Sequence, residues 1–291
     1  MSLLETIWVE VPEAALDRFE SAFATACRTV GFFLADEEAR IWRVEGVKEP
    51  GEGEGALAGA LALASLVTGV DPVLQRRPTE PGGWLARTQS SFPEQLVGRR
   101  FAIRGTHLAG TGAAGRIALV LDAGVAFGSG EHGSTRGCLR ALERVAYRRP
   151  QRILDLGCGS GILGMAAARL LHRRVRATDI DHWSVRVTRE NMVLNGLRNR
   201  MRCALAVGWQ PPARAGAPYD LVFANILARP LCRMARELAT NLAPGGTAIL
   251  AGLLHSQARM VLAAHRRVGL VLDFTVRDGG WTTLVLRRGP T

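Results

Sequence analysis

The segment that decides the fold of this chain is Asp155-Leu156-Gly157-Cys158-Gly159-Ser160-Gly161. It follows the short apolar run 153–156, which predicts a buried strand, and it precedes residues 162–171, which predict a helix. Glycines at such a junction let the backbone turn tightly and approach a ligand, while the first amides of the helix point at that ligand. The segment therefore predicts a strand–turn–helix unit that binds a ligand.

Strand and helix signals alternate from residue 152 to the end of the chain. This alternation predicts a doubly wound α/β fold with a largely parallel sheet, and two successive strands at the end predict a closing antiparallel pair. The predicted strands are 153–156, 175–179, 219–224, 247–251, 270–276 and 282–286, and the predicted helices are 162–171, 182–195, 231–242 and 256–267.

The beginning of the chain has a different pattern, in the order β-α-β-β-α, which is typical of a small α+β domain of ferredoxin-like type. We predict a first domain over 1–78, a connector rich in proline and glycine over 79–98, and a second domain over 99–291. In the first domain the predicted strands are 7–11, 31–34 and 41–44, and the predicted helices are 14–27 and 56–68. The second domain begins with two predicted strands, 101–103 and 117–120, on either side of a glycine-rich turn.

Charge is divided unevenly between the two predicted domains. Residues 1–78 carry 7 Arg or Lys and 13 Asp or Glu, a net charge of −6, whereas residues 79–291 carry 30 and 13, a net charge of +17. The acidic domain is suited to a basic protein partner and the basic domain to RNA, although a solvated surface without any partner explains the basic half equally well.

Other features of the composition exclude several classes of protein. The longest apolar run, 56–70, is too short to span a bilayer, and the N-terminus lacks the features of a signal peptide, so we expect a cytoplasmic protein without membrane contact. The five cysteines are scattered and have no metal-ligand spacing, which predicts reduced thiols and no metal site.

A carboxylate pair follows the second strand of the α/β pattern. Asp179 ends that strand, 22 residues after Gly157, where a carboxylate can accept hydrogen bonds from both ribose hydroxyls of a nucleoside. Asp181 either shares this role or caps the next helix. Glycine spacing also matters, because the dinucleotide fingerprint is Gly-x-Gly-x-x-Gly and this chain has Gly-x-Gly-x-Gly, which disfavours a nicotinamide dehydrogenase.

Two further segments flank the glycine turn. Upstream lies Ala126-Phe127-Gly128-Ser129-Gly130-Glu131-His132-Gly133-Ser134-Thr135, and downstream, at the end of the strand 219–224, lies Asn225-Ile226-Leu227. Together with the glycine turn, Asp179 and the late segment 253–258, they resemble the methyltransferases of ribosomal protein L-eleven (L11), the PrmA family. Ser129 and Ser134 stand where this family has threonine, which keeps a hydroxyl group at both positions.

The resemblance implies a class I methyltransferase that uses S-adenosylmethionine: a seven-stranded Rossmann-like sheet preceded by a ferredoxin-like recognition domain. It implies cofactor contacts at Thr135, the turn glycines Gly157 and Gly159, Asp179 and Asn225. We also assign the catalytic role to Asn225, as the group that holds cofactor and amine together. Asp155 would support the glycine turn or meet the cofactor amine.

By the same resemblance, the substrate is L11, methylated at its N-terminal amine and at lysines by an enzyme that we expect to be a monomer. His132 is then a turn residue or a base, and Thr135 is a cofactor ligand or a helix cap. Two rival functions remain open: methylation of RNA or of another lysine-bearing protein, and a cofactor-binding domain without catalysis. RNA contact is compatible with the +17 domain but is not required.

Overall fold

The computed structural model describes residues 4–27, 29–36, 39–78, 94–106, 108, 115–121 and 133–289. They form two compact units, Met1–Trp84 and Leu85–Thr291. Among the described residues, no helix is long and apolar enough to cross a lipid bilayer. All five cysteines are free thiols, as predicted, and Cys138, Cys158 and Cys203 are buried.

The first unit has a four-stranded antiparallel sheet in the order β2-β3-β1-β4. This topology confirms the predicted ferredoxin-like α+β domain, but its fourth strand was not predicted, because the segment Gln-Arg-Arg-Pro is polar and exposed throughout. The elements are β1 (Glu5–Pro12), α1 (Leu16–Phe23), β2 (Thr29–Asp36), β3 (Ile41–Lys48), α2 (Glu54–Thr68) and β4 (Gln75–Pro78).

A buried lysine links the elements of this unit. Lys48 is fully buried at the end of β3, and its Nζ donates to Glu5 Oε1 at 3.0 Å, Glu54 Oε1 at 2.7 Å and the Glu49 carbonyl at 2.8 Å. Hydrogen bonds from Arg76 and from Lys48 lower the pKa of Glu54 to about 2. A buried charge needs such partners, so part of the acidic excess of this unit serves its own fold.

The second unit begins with a three-stranded sheet in the order β5-β6-β7, in which β6 and β7 are parallel. Its first strand lies within the predicted connector. The elements of the unit are β5 (Gln95–Val97), β6 (Phe101–Gly105), β7 (Ile117–Leu121), α3 (Gly133–Val145), β8 (Ile153–Leu156), α4 (Ile162–Leu171), β9 (Val175–Asp179), α5 (His182–Leu194), β10 (Met201–Leu205), β11 (Tyr219–Asn225), α6 (Ala228–Arg233), α7 (Ala235–Asn241), β12 (Leu242–Leu254), α8 (His255–Arg266), β13 (Leu270–Asp278) and β14 (Trp281–Arg288).

The main sheet of this unit has seven strands in the order β10-β9-β8-β11-β12-β14-β13. Strands β8 to β12 are parallel, and β13 and β14 form the predicted antiparallel pair, with β14 also antiparallel to β12. Chain order reverses between β8 and β11, and in such sheets a ligand binds beyond the carboxyl ends of the strands at this reversal. The topology confirms the predicted Rossmann-like fold and locates its ligand crevice.

Helices cover both faces of the seven-stranded sheet. On one face, α3, α4 and α5 pack against Ile153, Ala177 and Met201, and on the other face Trp209 and helices α6 to α8 pack against Leu154 and neighbouring apolar residues. Alternate residues of β8 thus enter opposite cores, as expected for a strand buried on both faces.

Two differences from the predicted elements have local causes. Strand β10 was missed because it is a short edge strand that follows an arginine-rich turn. The predicted helix 231–242 is two helices, and the first of them begins at Ala228, so that Pro230 lies in its first turn. Proline is tolerated there because the amide that it lacks has no partner in a first turn.

Candidate functional site

The glycine turn after β8 has a backbone that side chains would disrupt. Gly157, Gly159 and Gly161 have φ values of +72°, +53° and +80°, in the left-handed region that favours glycine. A Cβ atom on Gly157 would lie 2.4 Å from Cγ2 of Ile226, which directly follows β11. The turn therefore packs directly against the end of the neighbouring strand, and the two form one wall of the crevice.

Asp179 joins the glycine turn to the end of β9. Its Oδ2 accepts a hydrogen bond from the Gly159 amide at 2.9 Å, and its Oδ1 accepts one from the Asp181 amide at 3.0 Å. Burial raises the pKa of Asp179, while these amides oppose the rise. Each carboxylate oxygen accepts up to two hydrogen bonds, so the side chain is held in place and retains acceptor capacity for a ligand hydroxyl.

Asp181 is a helix cap. Its carboxylate accepts hydrogen bonds from the amides of Trp183 at 3.2 Å and Ser184 at 2.8 Å, at the first turn of α5. These bonds satisfy two of the amides that a helix N-terminus leaves without partners. Of the two roles considered for this residue, the structure supports the cap.

Asp155 lies beneath the turn rather than on its surface. The side chain is 1% exposed, and Oδ2 accepts a hydrogen bond from the Gly164 amide at 2.7 Å. Burial, with a smaller contribution from the nearby charge of Asp179, raises the pKa of Asp155 to about 7. From this position Asp155 supports the turn and the first part of the following helix.

Asn225 and Thr135 meet although 90 residues separate them. Asn225 Nδ2 donates to Thr135 Oγ1 at 3.4 Å, while Asn225 Oδ1 is buried and has no hydrogen-bond partner among the described residues. Thr135 is the third residue of α3 and 1% exposed, so it does not occupy a cap position. A buried carbonyl without a partner is costly in a protein, and at the mouth of a crevice it marks a site for a donor from a ligand.

The start of α3 is anchored by an ion-pair cluster that the sequence did not suggest. Arg136 forms a two-pronged contact with Asp278, with Nη2–Oδ1 at 2.6 Å and Nε–Oδ2 at 3.0 Å, and Arg140 Nη1 lies 2.8 Å from Asp278 Oδ2. Burial would raise the pKa of Asp278, but the hydrogen bonds and charge of Arg136 and the charge of Arg140 lower it below its usual value. The cluster ties α3 to the end of β13 and so places Thr135.

Two polar residues on the buried face of α5 brace the glycine turn. Thr188 Oγ1 donates to the Gly159 carbonyl at 2.8 Å, and Asn191 Nδ2 donates to the Ser160 carbonyl at 2.9 Å. Both side chains are fully buried. The spacing of Thr188 and Asn191, three residues apart beside the apolar residues Val185 and Met192, was the available signal for these two residues, which were not predicted.

The predicted site residues are therefore connected by direct contacts. Gly159 bonds to Asp179, Gly157 packs against the residue after Asn225, and Asn225 bonds to Thr135. Ser134 is also buried at the start of α3. Ser129, Glu131 and His132 lie outside the described residues, so the role of this histidine stays a prediction.

Comparison with known proteins decides the family. The family model described as ribosomal protein L11 methyltransferase (PrmA) matches residues 58–289. The chain belongs to the ribosomal protein L11 methyltransferase family. This membership confirms the predicted family and the predicted class of enzyme, a protein methyltransferase, and it implies S-adenosylmethionine as the methyl donor.

Relatives from several bacteria carry the same family name. The ribosomal protein L11 methyltransferase of Caulobacter sp. (strain K31) is 38% identical over 277 residues, covering 95% of this chain and 93% of the relative. That of Bradyrhizobium diazoefficiens is 48% identical over 192 residues, 65% of each chain. A crystal structure of ribosomal protein L11 methylase from Lactobacillus delbrueckii subsp. bulgaricus has a TM-score of 0.61 at 28% identity, covering 68% of this chain and 98% of the other.

The raised pKa of Asp155 predicts a pH-dependent stability. The usual carboxyl pKa is 3.8, and the folded value is about 7, so between these values the folded protein holds a proton that the unfolded chain has lost. The group then destabilises the fold progressively as pH rises, by up to about 1.4 kcal/mol per pH unit, and the effect levels off above the folded pKa.

Asp155→Asn keeps an oxygen for the Gly164 amide but cannot ionise. We expect the stability of this variant relative to the wild type to increase as pH rises towards neutrality and then to stay constant. Urea unfolding of both proteins at several pH values measures this difference. A difference that does not depend on pH would refute the raised pKa.

Proposed function

We propose that this protein transfers methyl groups from S-adenosylmethionine to amines of ribosomal protein L11, namely its N-terminal amine and lysine side chains. The observation that carries the proposal is the arrangement at the carboxyl ends of β8, β9 and β11. There a glycine turn braced by hydrogen bonds borders one crevice together with the carboxylate of Asp179 and the Oδ1 of Asn225, which has no partner among the described residues.

The residues of the crevice fit the chemistry of the cofactor. Asp179 retains acceptor capacity for the two ribose hydroxyls, and the turn at Gly157 and Gly159 has no side chain to keep a nucleoside or methionine group at a distance. Thr135 and Asn225 add a hydroxyl and an amide to the same crevice. We assign cofactor binding to these five residues.

The reaction needs alignment more than it needs acid–base catalysis. S-adenosylmethionine supplies a methyl group that its sulfonium sulfur already activates. The chain must place a neutral amine in line with that group and exclude water from it. We assign the placement to Asn225, whose Oδ1 can accept an amine N–H and so direct the nitrogen lone pair along the reaction axis.

The amine must lose a proton before it reacts. An amide oxygen is too weak a base to take that proton, so Asn225 acts by orientation. Ile226, adjacent to Asn225, adds an apolar surface beside the turn. A poorly hydrated site of this kind lowers the pKa of a lysine ammonium and favours release of its proton to water before methyl transfer.

Two observations support L11 as the substrate. Relatives that align with about 95% of the chain carry the name ribosomal protein L11 methyltransferase. The first unit is acidic, with 13 Asp or Glu against 7 Arg or Lys over residues 1–78, which suits a basic RNA-binding protein. We therefore assign substrate recognition to this unit and propose a monomeric enzyme in the cytoplasm, where ribosomal proteins are made.

Asp179 and Asp181 provide a matched pair of substitutions for the cofactor site. Asp179→Ala should weaken S-adenosylmethionine binding at least tenfold, because each hydrogen bond to a charged group contributes about 1.5–3 kcal/mol. Asp181→Ala should cost about 1 kcal/mol of stability through loss of the cap but leave cofactor affinity nearly unchanged. Isothermal titration calorimetry and thermal unfolding separate the two effects, and equal losses of affinity would contradict the assignment.

Asn225→Ala tests the positioning role. We expect turnover to fall about 100-fold, the typical effect of removing one preorganised polar group from an active site, while the fold persists. Asn241→Ala is the control, since Asn241 Nδ2 donates to the Glu237 carbonyl within α7, outside the proposed site. Single-turnover rates at saturating cofactor measure the effect, and an unchanged rate for Asn225→Ala would exclude the proposed role.

The substrate is tested by incubating the protein with methyl-labelled S-adenosylmethionine and unmodified ribosomal components. We expect the label on L11, with mass increases of whole methyl groups at its N-terminus and lysines. Label on a different protein would retain the reaction but discard the substrate. Label on RNA would replace the proposal by RNA methylation, and cofactor binding without any transfer would indicate a non-catalytic domain.

A further inference from the structure

Three arginines lie in register at the amino-terminal edge of the seven-stranded sheet. Arg152, Arg174 and Arg200 directly precede β8, β9 and β10, whose first residues pair with one another across the three strands. Neighbouring strands are about 4.8 Å apart, so the backbone of these residues extends over about 10 Å in a line. We call these three residues the arginine row.

More positive charge surrounds the arginine row. Arg176 and Arg202 are register partners on β9 and β10, two residues further along, and therefore project from the same face of the sheet as Arg174 and Arg200. Arg173 and Arg198 lie in the adjoining turns and are exposed, as are all three residues of the row. The edge thus presents a continuous positive surface.

Acidic groups do not neutralise the arginine row. None of its three side chains forms an ion pair with an acidic residue in the described part of the chain, and Arg200 Nη1 faces His172 Nδ1 at 3.1 Å. Asp220 lies level with the row on the next strand, and its Oδ2 accepts hydrogen bonds from the backbone amides of Gln151 at 2.9 Å and Arg152 at 2.8 Å. Its single negative charge stands against seven arginines at this edge. The row therefore keeps its excess of positive charge.

The chemistry of the row indicates its partner. Guanidinium groups match phosphate oxygens with a fork of donors, and several of them in a line match a repeating anion. Exposed apolar side chains form the centre of most protein–protein interfaces, but the apolar residues that directly follow the three arginines, Ile153, Val175 and Met201, are buried in the core. We propose that the arginine row binds the phosphate backbone of RNA, without reading its sequence.

The position of the row separates this binding from catalysis. The glycine turn and Asn225 follow the carboxyl ends of the strands, whereas the row precedes their amino ends. Strands of four to seven residues place about 13–23 Å between the two edges. Bound RNA is then held as a tether and is not the methyl acceptor, and the choice of RNA over other polyanions rests on the proposed ribosomal substrate.

Fluorescence anisotropy with a labelled single-stranded RNA of mixed sequence tests the proposal, in the absence of substrate and cofactor. If three phosphates are neutralised, a plot of log affinity against log salt concentration should have a slope of about −2. The affinity for RNA should then fall about 20-fold between about 50 and about 200 mM salt. The variant Arg152→Gln/Arg174→Gln/Arg200→Gln should bind at least tenfold more weakly at the lower salt and lose most of the slope.

The control variant is Arg236→Gln/Arg259→Gln/Arg267→Gln, which removes the same charge from three exposed arginines on or next to α7 and α8. We expect its RNA affinity to stay within about twofold of the wild type, and both variants should keep their affinity for S-adenosylmethionine, which reports an intact fold. Equal losses in both variants, or no binding by the wild type, would overturn the proposal.

Two competitors test the assignment to a phosphate backbone. Poly-glutamate that displaced the RNA from the row at equal concentration would overturn it, and so would duplex DNA that failed to compete, because DNA carries the same phosphates. The affinity for RNA is measured without methyl transfer, so failure of the proposed methylation of L11 and failure of the arginine row remain distinguishable.

Discussion

The site depends on one carboxylate that accepts hydrogen bonds from two backbone amides. Asp179 accepts hydrogen bonds from Gly159 in the turn after β8 and from Asp181 after β9, and thereby holds the ends of two neighbouring strands in one arrangement. Burial raises the free energy of the ionised carboxylate, and the two amides offset part of this cost. A side chain restrained in this way can present acceptors to a ligand without losing entropy on binding, which is the basis of preorganisation.

The second half of the crevice depends on the topology of the sheet. The order of the strands reverses between β8 and β11, and the end of β11 with Asn225 lies beside the glycine turn. The ion pair between Arg136 and Asp278 connects the start of α3 to the end of β13, the edge strand of the sheet. This connection positions Thr135 on α3 next to Asn225. Distant segments thus contribute single side chains to a scaffold of strands and helices.

The two edges of the parallel strands have different chemistry. The carboxyl edge concentrates glycines and carboxylates around a crevice, while the amino edge carries an unneutralised line of arginines. Part of the net charge of +17 over residues 79–291 is therefore concentrated at one edge of the sheet. In the first unit, by contrast, Lys48 uses part of the acidic excess internally, so net charge alone overstates what its surface offers to a partner.

The sequence by itself determined the features that are local or periodic. The glycine turn, the alternation of strands and helices, Asp179 and the family all follow from residues close together in the chain. Tertiary structure decided the contact between Asn225 and Thr135, the cap role of Asp181, the pKa of Asp155 and the register of the arginine row. Short polar edge strands such as β4 and β10 also emerged only there. The reason is physical: burial, register and long-range pairing depend on what packs against a residue, and the neighbouring sequence does not contain that information.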